Sequence, residues 1–422
     1  MAPDQNPIDR PKSRPISDII RRYYTLWGIY SFAGGFLFGV YPLFLRARGL
    51  NQFQINSVLA TYFVVLFLTD VPTGAFADAL GRRRSCVLGA MLRVFAFTLY
   101  FFAHQYFIFL IAESIDGIGT TFGNGAIDAW GVDALDDAGY EGVKDRLFSR
   151  ISQLNAVGFM GSSLIGAYVA DINIAYPWLL GAVGYLISGV FAYRLMHDER
   201  PRPSHVHLGA MPAQIAGRIS SGLRRGLSSR IVLMLSTAGA VAFAAWGPYW
   251  VEWPILFDTS FNVGIWIIGW IYCALAIARM IGAEVVARAY VDEATRPSRA
   301  VILVVITGAG LAFAGFFGGK PWLMLAILFV MNLAFGALQP LLQSWFNEQI
   351  GSDQRATLLS FNSTFQTAGG SMGLLANGRI ADAYGIPIAW QAAGVLSMLA
   401  APMYWALRPR AEERVIATSE AE

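Results

Sequence analysis

The chain has 422 residues, 55% of them hydrophobic and 14% charged, with a net charge of +3 and a mean hydropathy of +0.49. An average soluble domain carries about 25% charged residues, so this composition excludes the soluble globular class and places the chain among multi-pass membrane proteins. Cys86 and Cys273 both lie in apolar runs, which excludes a disulfide framework and suggests no metal site.

The first 22 residues are polar and proline-rich, show no cleavable signal, and read as a disordered cytoplasmic tail. About 20 apolar residues cross the ~30 Å hydrocarbon core of a bilayer. Twelve such segments follow, at 23–45, 53–76, 85–103, 106–127, 151–170, 175–193, 231–257, 263–287, 300–318, 321–346, 356–378 and 386–407. Alternating the connections between two sides puts 25 of the 31 Lys and Arg residues on the side of the N-terminus and 4 on the other; Arg93 and Arg279 lie inside spans. The positive-inside rule then makes both termini cytoplasmic. The longest connection, 194–230, divides the chain into six-helix bundles at 23–193 and 231–407, with a cytoplasmic tail at 408–422. Within it Leu208, Met211, Ile215, Ile219, Leu223 and Leu227 recur at helical spacing, with Arg218, Arg224 and Arg225 between them. This is either an interfacial amphipathic helix or a flexible basic linker. An internal repeat supports the division. GAYVADINIAYPW (166–178) and GRIADAYGIPIAW (378–390) each carry Gly, Ala-Asp and Trp in the same order. Both close the fifth helix of a half, as in the parallel repeats of secondary transporters.

Residues 70–85, DVPTGAFADALGRRRS, set dense charge between two apolar segments. Gly81 permits a tight turn, Gly74 close helix approach, and the arginines hold the loop inside the cell. The stretch is similar to the signature G-x-x-x-D-x-x-G-R-(R/K)-(R/K) of the major facilitator superfamily, with Gly74, Asp78, Gly81, Arg82 and Arg83 matching. That resemblance implies an all-α membrane fold of twelve transmembrane helices in two six-helix halves. It also implies a cytoplasmic latch that joins the halves when the cavity faces out. Asp78 would sit against the start of the eleventh helix, and Arg82 would pair with an acid at the end of the fourth, Asp128 or Asp133. Ala79 departs from the pattern, where a basic residue is usual, which implies a weaker latch. The lead-in Asp70, Pro72, Thr73 and Gly74, together with GAIDAW and RATLLS (355–360), resembles a drug-efflux-like branch. GFMGSSLIGA (158–167) departs from the helix 5 pattern of proton-driven drug antiporters at Ser162, Ser163 and Ala167. Glu113 and Asp116 stand where that group has Arg and Gln.

Charges inside spans are costly and should face the bundle interior. Asp116 lies ~15 Å into the fourth helix and Arg93 ~12 Å into the third from the other side, so the two can meet. Glu113 shares a helix face with Asp116. Two acids near one arginine leave one free to take a proton; the other reading is a static pair that fixes packing. Asp70 is a gating contact or a proton site. Arg279, Glu284 and Arg288 read as a structural ion network at the inner end of the eighth helix. In WGPYWVEWP, the outer tryptophans fit an interfacial belt, whereas Trp246 and Tyr249 are candidates to stack on substrate. Glu252 would attract a cation near the external mouth or pair at the interface. Asn332, Gln339 and Gln343 offer amides to a binding cavity or to helix packing. Gly34, Gly35 and Gly39 form a small-residue packing face.

The four histidines form no metal or catalytic constellation, and no phosphate-cradling glycine loop is present. The expectation is a non-enzymatic transporter without cofactor, a monomer in the bacterial inner membrane whose partners are protons, the bilayer and a small molecule, not nucleic acid. It would export an amphipathic organic molecule or drug in exchange for protons. The alternatives are uptake or exchange of a metabolite such as an organic acid, and a lipid flippase or non-transporting receptor.

Overall fold

A computed structural model describes residues 15–142, 144–197, 217, 224, 226–289, 293–317, 319–351 and 355–408. The described residues form α-helices joined by short turns. In chain order they are α1 (Ile16–Gly35), α2 (Tyr41–Ala47), α3 (Gln52–Leu80), α4 (Arg82–Phe102), α5 (Tyr106–Asp137), α6 (Lys144–Ile172), α7 (Tyr176–Leu195), α8 (Arg230–Phe261), α9 (Trp266–Arg288), α10 (Arg296–Phe316), α11 (Pro321–Glu348), α12 (Arg355–Tyr384), α13 (Ile386–Met398) and α14 (Ala401–Trp405). Local chemistry sets many of their ends. Asn51 and Gln54 make a reciprocal capping box at the start of α3. Proline occupies the first turn of α2, α7, α10, α11 and α13, where its missing N–H leaves no bond unmade. Asn262 ends α8 in the left-handed conformation, and Gly81, at φ +100°, forms the whole turn between α3 and α4.

Among the described residues, eight helical stretches are long and apolar enough to cross a bilayer: 52–79, 82–102, 176–195, 230–261, 266–288, 296–316, 321–348 and 386–405. Large apolar side chains, among them Phe95, Phe107, Phe316 and Trp322, face outward, as lipid contact requires. The chain is a multi-pass membrane protein. The other four expected spans fall on α1 with α2, α5, α6 and α12, helices diluted by the polar residues considered below. Several helices outrun their expected spans: α5 continues to Asp137 and α6 begins at Lys144. Hydropathy marks the hydrocarbon crossing, and a helix goes on past it. The first span is also not one helix. Residues 36–40 break it into α1 and α2, with Gly39 at φ +83°. Gly39 packs as expected, with a Cβ there meeting Ile268 at 2.9 Å, and it also supplies the turn of a discontinuous helix. Most of the linker repeat lies outside the described residues; Arg224 and Leu227 are helical and exposed.

Helices α1–α7 pack chiefly on one another, through α4 on α5 and α7 and α1 on α6 and α7; α8–α14 do the same, through α8 on α12 and α9 on α11. The bundles meet along two seams, α3 against α12 and α6 against α9. Within the second bundle α9 and α11 touch backbone to backbone, because a Cβ at Gly336 would collide with the Arg279 carbonyl. Replacing Gly336 by Val should therefore cost about 1–3 kcal/mol of overpacking strain, seen as a lowered midpoint of thermal unfolding in detergent; an unchanged midpoint would contradict this packing.

Candidate functional site

One cavity of about 640 Å³ lies between the bundles. The first supplies the broken stretch between α1 and α2, together with Arg93, Glu113 and Asp116; the second supplies Phe243, Trp250, Tyr272 and Arg279. Much of the wall is aromatic, and Trp178 stacks flat on Tyr100 behind it at 3.9 Å between centroids.

The charges of the first bundle are sorted. Arg93 meets Asp116 at two points, Nε to Oδ1 at 2.8 Å and Nη2 to Oδ2 at 3.2 Å. Its guanidinium also lies 4.0 Å from the Tyr185 ring centroid and donates to the Tyr30 hydroxyl. Both partners are buried. Glu113, although on the same face as Asp116, does not share the arginine. It is buried and accepts from the Tyr100 hydroxyl. The nearby Tyr41 hydroxyl is buried without a hydrogen-bond partner among the described residues.

The second bundle differs from its sequence reading. Arg279 belongs to no ion network with Glu284. Five residues place the two about 140° apart around a helix, and Glu284 pairs instead with Arg288 at the exposed end of α9, Nε to Oε1 at 2.6 Å. Arg279 turns to the cavity, where it donates to Asn332 Oδ1 at 2.9 Å and lies 4.4 Å from the Trp250 ring centroid. Asn332 is fully buried behind it and donates to the Tyr249 hydroxyl and the Leu328 carbonyl. Trp246 stacks on Phe335 at 3.7 Å and, with Gln339 and Gln343, lines a separate space of about 450 Å³ inside the second bundle. Of the expected cavity residues on α8 and α11, none lines the central chamber directly. Trp250, placed by its sequence position in an interfacial belt, does line it, and Trp253 is fully buried rather than at a lipid interface.

Toward the face where α3 begins and α12 ends, the bundles are closed. Asp382 takes the first backbone N–H groups of α3, from Gln52 at 2.8 Å and Phe53 at 3.1 Å. Asp171 takes the N–H of Ile265 before α9, at 2.8 Å. These are the two aspartates of the internal repeat, and each satisfies donors that a helix start leaves open, where the helix dipole favours a carboxylate. Between them Glu252 is fully buried, not set at an open mouth. It accepts from Asn56 at 3.1 Å and Trp390 at 2.9 Å, and so joins α3 to α8 and α13.

Toward the opposite face the bundles part. Asp70, exposed on α3, lines a space of about 650 Å³ with Asn124 of α5 and Leu359, Ser360 and Ser363 of α12. Beyond it, Arg82 holds Asp78 at 2.6 Å and stands 3.8 Å from Asp133. Asp128 is engaged by Tyr23 at 2.7 Å and Trp27 at 2.9 Å on α1, and is not the partner of Arg82. Arg83 lies over the Tyr193 ring. A Cβ at Gly74 would meet nothing within 4 Å; with the bundles apart at this end, no helix makes the close approach expected there.

Two helical bundles enclosing a largely aromatic chamber that carries buried charges, sealed at one face, define a membrane protein built to hold a ligand between its halves. A model described as Major Facilitator Superfamily matches residues 26–374 and, overlapping, 238–422, and the chain belongs to that superfamily. It is 21% identical to "Uncharacterized MFS-type transporter YxaM" of Bacillus subtilis, covering 90% of this chain and 94% of that protein. It is also 21% identical to "Quinolone resistance protein NorA" of Staphylococcus aureus, covering 83% and 86%. Among solved structures, a nucleoside transporter, NupG, superposes with a TM-score of 0.67 at 14% identity, covering 92% of this chain and 98% of that one.

Two outcomes follow from the geometry. Replacing Asp116 by Asn strands a buried guanidinium and should cost about 3–5 kcal/mol, with part of the loss restored by adding Arg93→Gln; a silent Asp116→Asn would show that the pair carries no stability. Replacing Asp171 and Asp382 together by Asn should loosen the closed face. A cysteine placed at Phe38, in the chamber, should then gain reactivity toward a membrane-impermeant thiol reagent added from that face, whereas unchanged reactivity would mean that the two caps do not hold it shut.

Proposed function

We propose that the chain is a proton-coupled secondary transporter that exports an amphipathic organic molecule by alternating access. The reading takes the full expected topology of twelve spans with both termini cytoplasmic, in a bacterial inner membrane. The face carrying most Lys and Arg is then inner, and the chamber described above is closed outside and approached from inside.

The observation that carries the reading is the division of labour between the two acids. Asp116 is locked to Arg93, so protonating it would break a buried ion pair. Glu113 faces the same chamber with a hydroxyl donor and, among the described residues, no ion-pair partner, so it can gain or lose a proton without breaking an ion pair. The chamber's size suits an organic molecule, its aromatic walls suit an apolar body, and the discontinuous first helix is a feature of substrate sites in transporters. The names of the relatives, a quinolone resistance protein and a multidrug resistance protein, agree with export.

The test is proteoliposomes with an imposed pH gradient and a panel of aromatic cations, neutral compounds and organic acids. Wild type should move protons when one class is added. Glu113→Gln should abolish pH-driven transport and leave downhill exchange of the same compound. Undiminished pH-driven transport in Glu113→Gln would remove Glu113 from the mechanism.

A further inference from the structure

The chamber holds two guanidinium groups, and among the described residues only one of them has a counter-ion. Arg93 is neutralised at two points by Asp116. Arg279, on the facing wall, has no carboxylate within 4.0 Å among the described residues. Its fixed contacts are neutral: the Asn332 amide oxygen and the rings of Trp250 and Tyr272, at 4.4 and 5.9 Å. Asn332 cannot turn away, because its own N–H groups are committed to Tyr249 and Leu328. One nitrogen of the guanidinium is thereby taken and the aromatic face is occupied. Even with the Tyr272 hydroxyl beside it as a second acceptor, a planar fork of five N–H groups keeps donors free to recognise something else.

A charge held at mid-depth in a membrane protein needs a partner of opposite sign or an aqueous path. A carboxylate is the group whose two oxygens match an arginine fork. A lipophilic cation would find Asp116 already paired with Arg93 and the face of Trp250 covered by Arg279, leaving it Glu113 alone, which is held by the Tyr100 hydroxyl. The wall around Arg279 is otherwise apolar, from Leu37, Phe38, Phe159 and Phe243.

We infer that Arg279, framed by Trp250, Tyr272 and Asn332, is the anion-recognition point of the chamber, and that the substrate is an amphipathic organic anion whose carboxylate docks there while its apolar body lies against the phenylalanines. The inference rests on the chamber being the transport site. It fits outward movement, because an inside-negative potential drives an anion out of a cell.

The experiment is equilibrium binding to the purified full chain with three probes sharing one ring system: 1-naphthoate, its uncharged amide, and the 1-naphthylmethylammonium cation. Wild type should bind the carboxylate at least tenfold more tightly than the amide, and the cation most weakly. Arg279→Gln should lower carboxylate affinity to that of the amide and leave the amide unchanged. Arg279→Lys, which keeps the charge but not the fork, should fall between. Size-exclusion profiles establish that each variant is folded; if Arg279→Gln is not, the Lys variant must still lose at least threefold of the preference. Equal wild-type binding of all three probes, or a loss in Arg279→Gln shared equally by carboxylate and amide, overturns the anion assignment and leaves the transport reading standing. No binding of any probe overturns the anion assignment, while the transport reading falls only if no class of compound moves protons in the proteoliposome test.

Discussion

A charge in a hydrocarbon slab must be paired, hydrogen-bonded or placed against water, and this constraint organises the molecule. The Arg93–Asp116 pair meets it by mutual neutralisation, fixing α4 against α5. Glu252 meets it by accepting from two neutral donors on different helices, and so draws the bundles together. Glu113 and Arg279 meet it only in part, each with neutral partners and each facing the chamber. The incompletely compensated charges are thus concentrated where a ligand or a proton can complete them. That is the physical distinction between the groups that hold the structure and those available for work.

The two faces are built from different chemistry. The closed face relies on carboxylates set over helix starts, so each contact pairs one side-chain charge with fixed backbone N–H groups. The opposite face relies on ion pairs around Arg82, whose partners are half-exposed and can be exchanged at little cost. Asp78 is held by Arg82 on the next helix rather than reaching the second bundle. Under the proposed topology, the unlatched motif on one face and the capped carboxylates on the other belong to a single state of the two bundles.

Much of this was legible in the sequence, to the extent that one-dimensional patterns carry the physics. Apolar runs located the helices because burial in lipid needs length and little else. The Arg93–Asp116 encounter followed from depth along two antiparallel helices. Proximity along the chain misled where the helix turn matters: Arg279 lies near Glu284 in sequence but on another face of α9. The same error put Trp250 and Trp253 in a lipid-facing belt, since an aromatic at a given depth says nothing about which way its helix is rotated. Asp171 and Asp382 stood out as a repeat, yet their partnership with helix starts in the opposite bundle is a long-range contact that no local pattern encodes. Gly39 had a signal, one glycine among three, but whether it marks a crossing or a break depends on the backbone angle.

The central claim is that two bundles rock about a mid-depth chamber, and paired spin-label distances test it most directly. One pair, at Ile172 and Val263, spans the closed face, where both residues are exposed; the other, at Val71 and Leu359, spans the open one. The native cysteines are buried and leave these sites uniquely labelled. On shifting pH across the range in which the protein transports, the first distance should lengthen as the second shortens. Two distances that stay fixed, or that change in the same direction, would contradict alternating access in this chain.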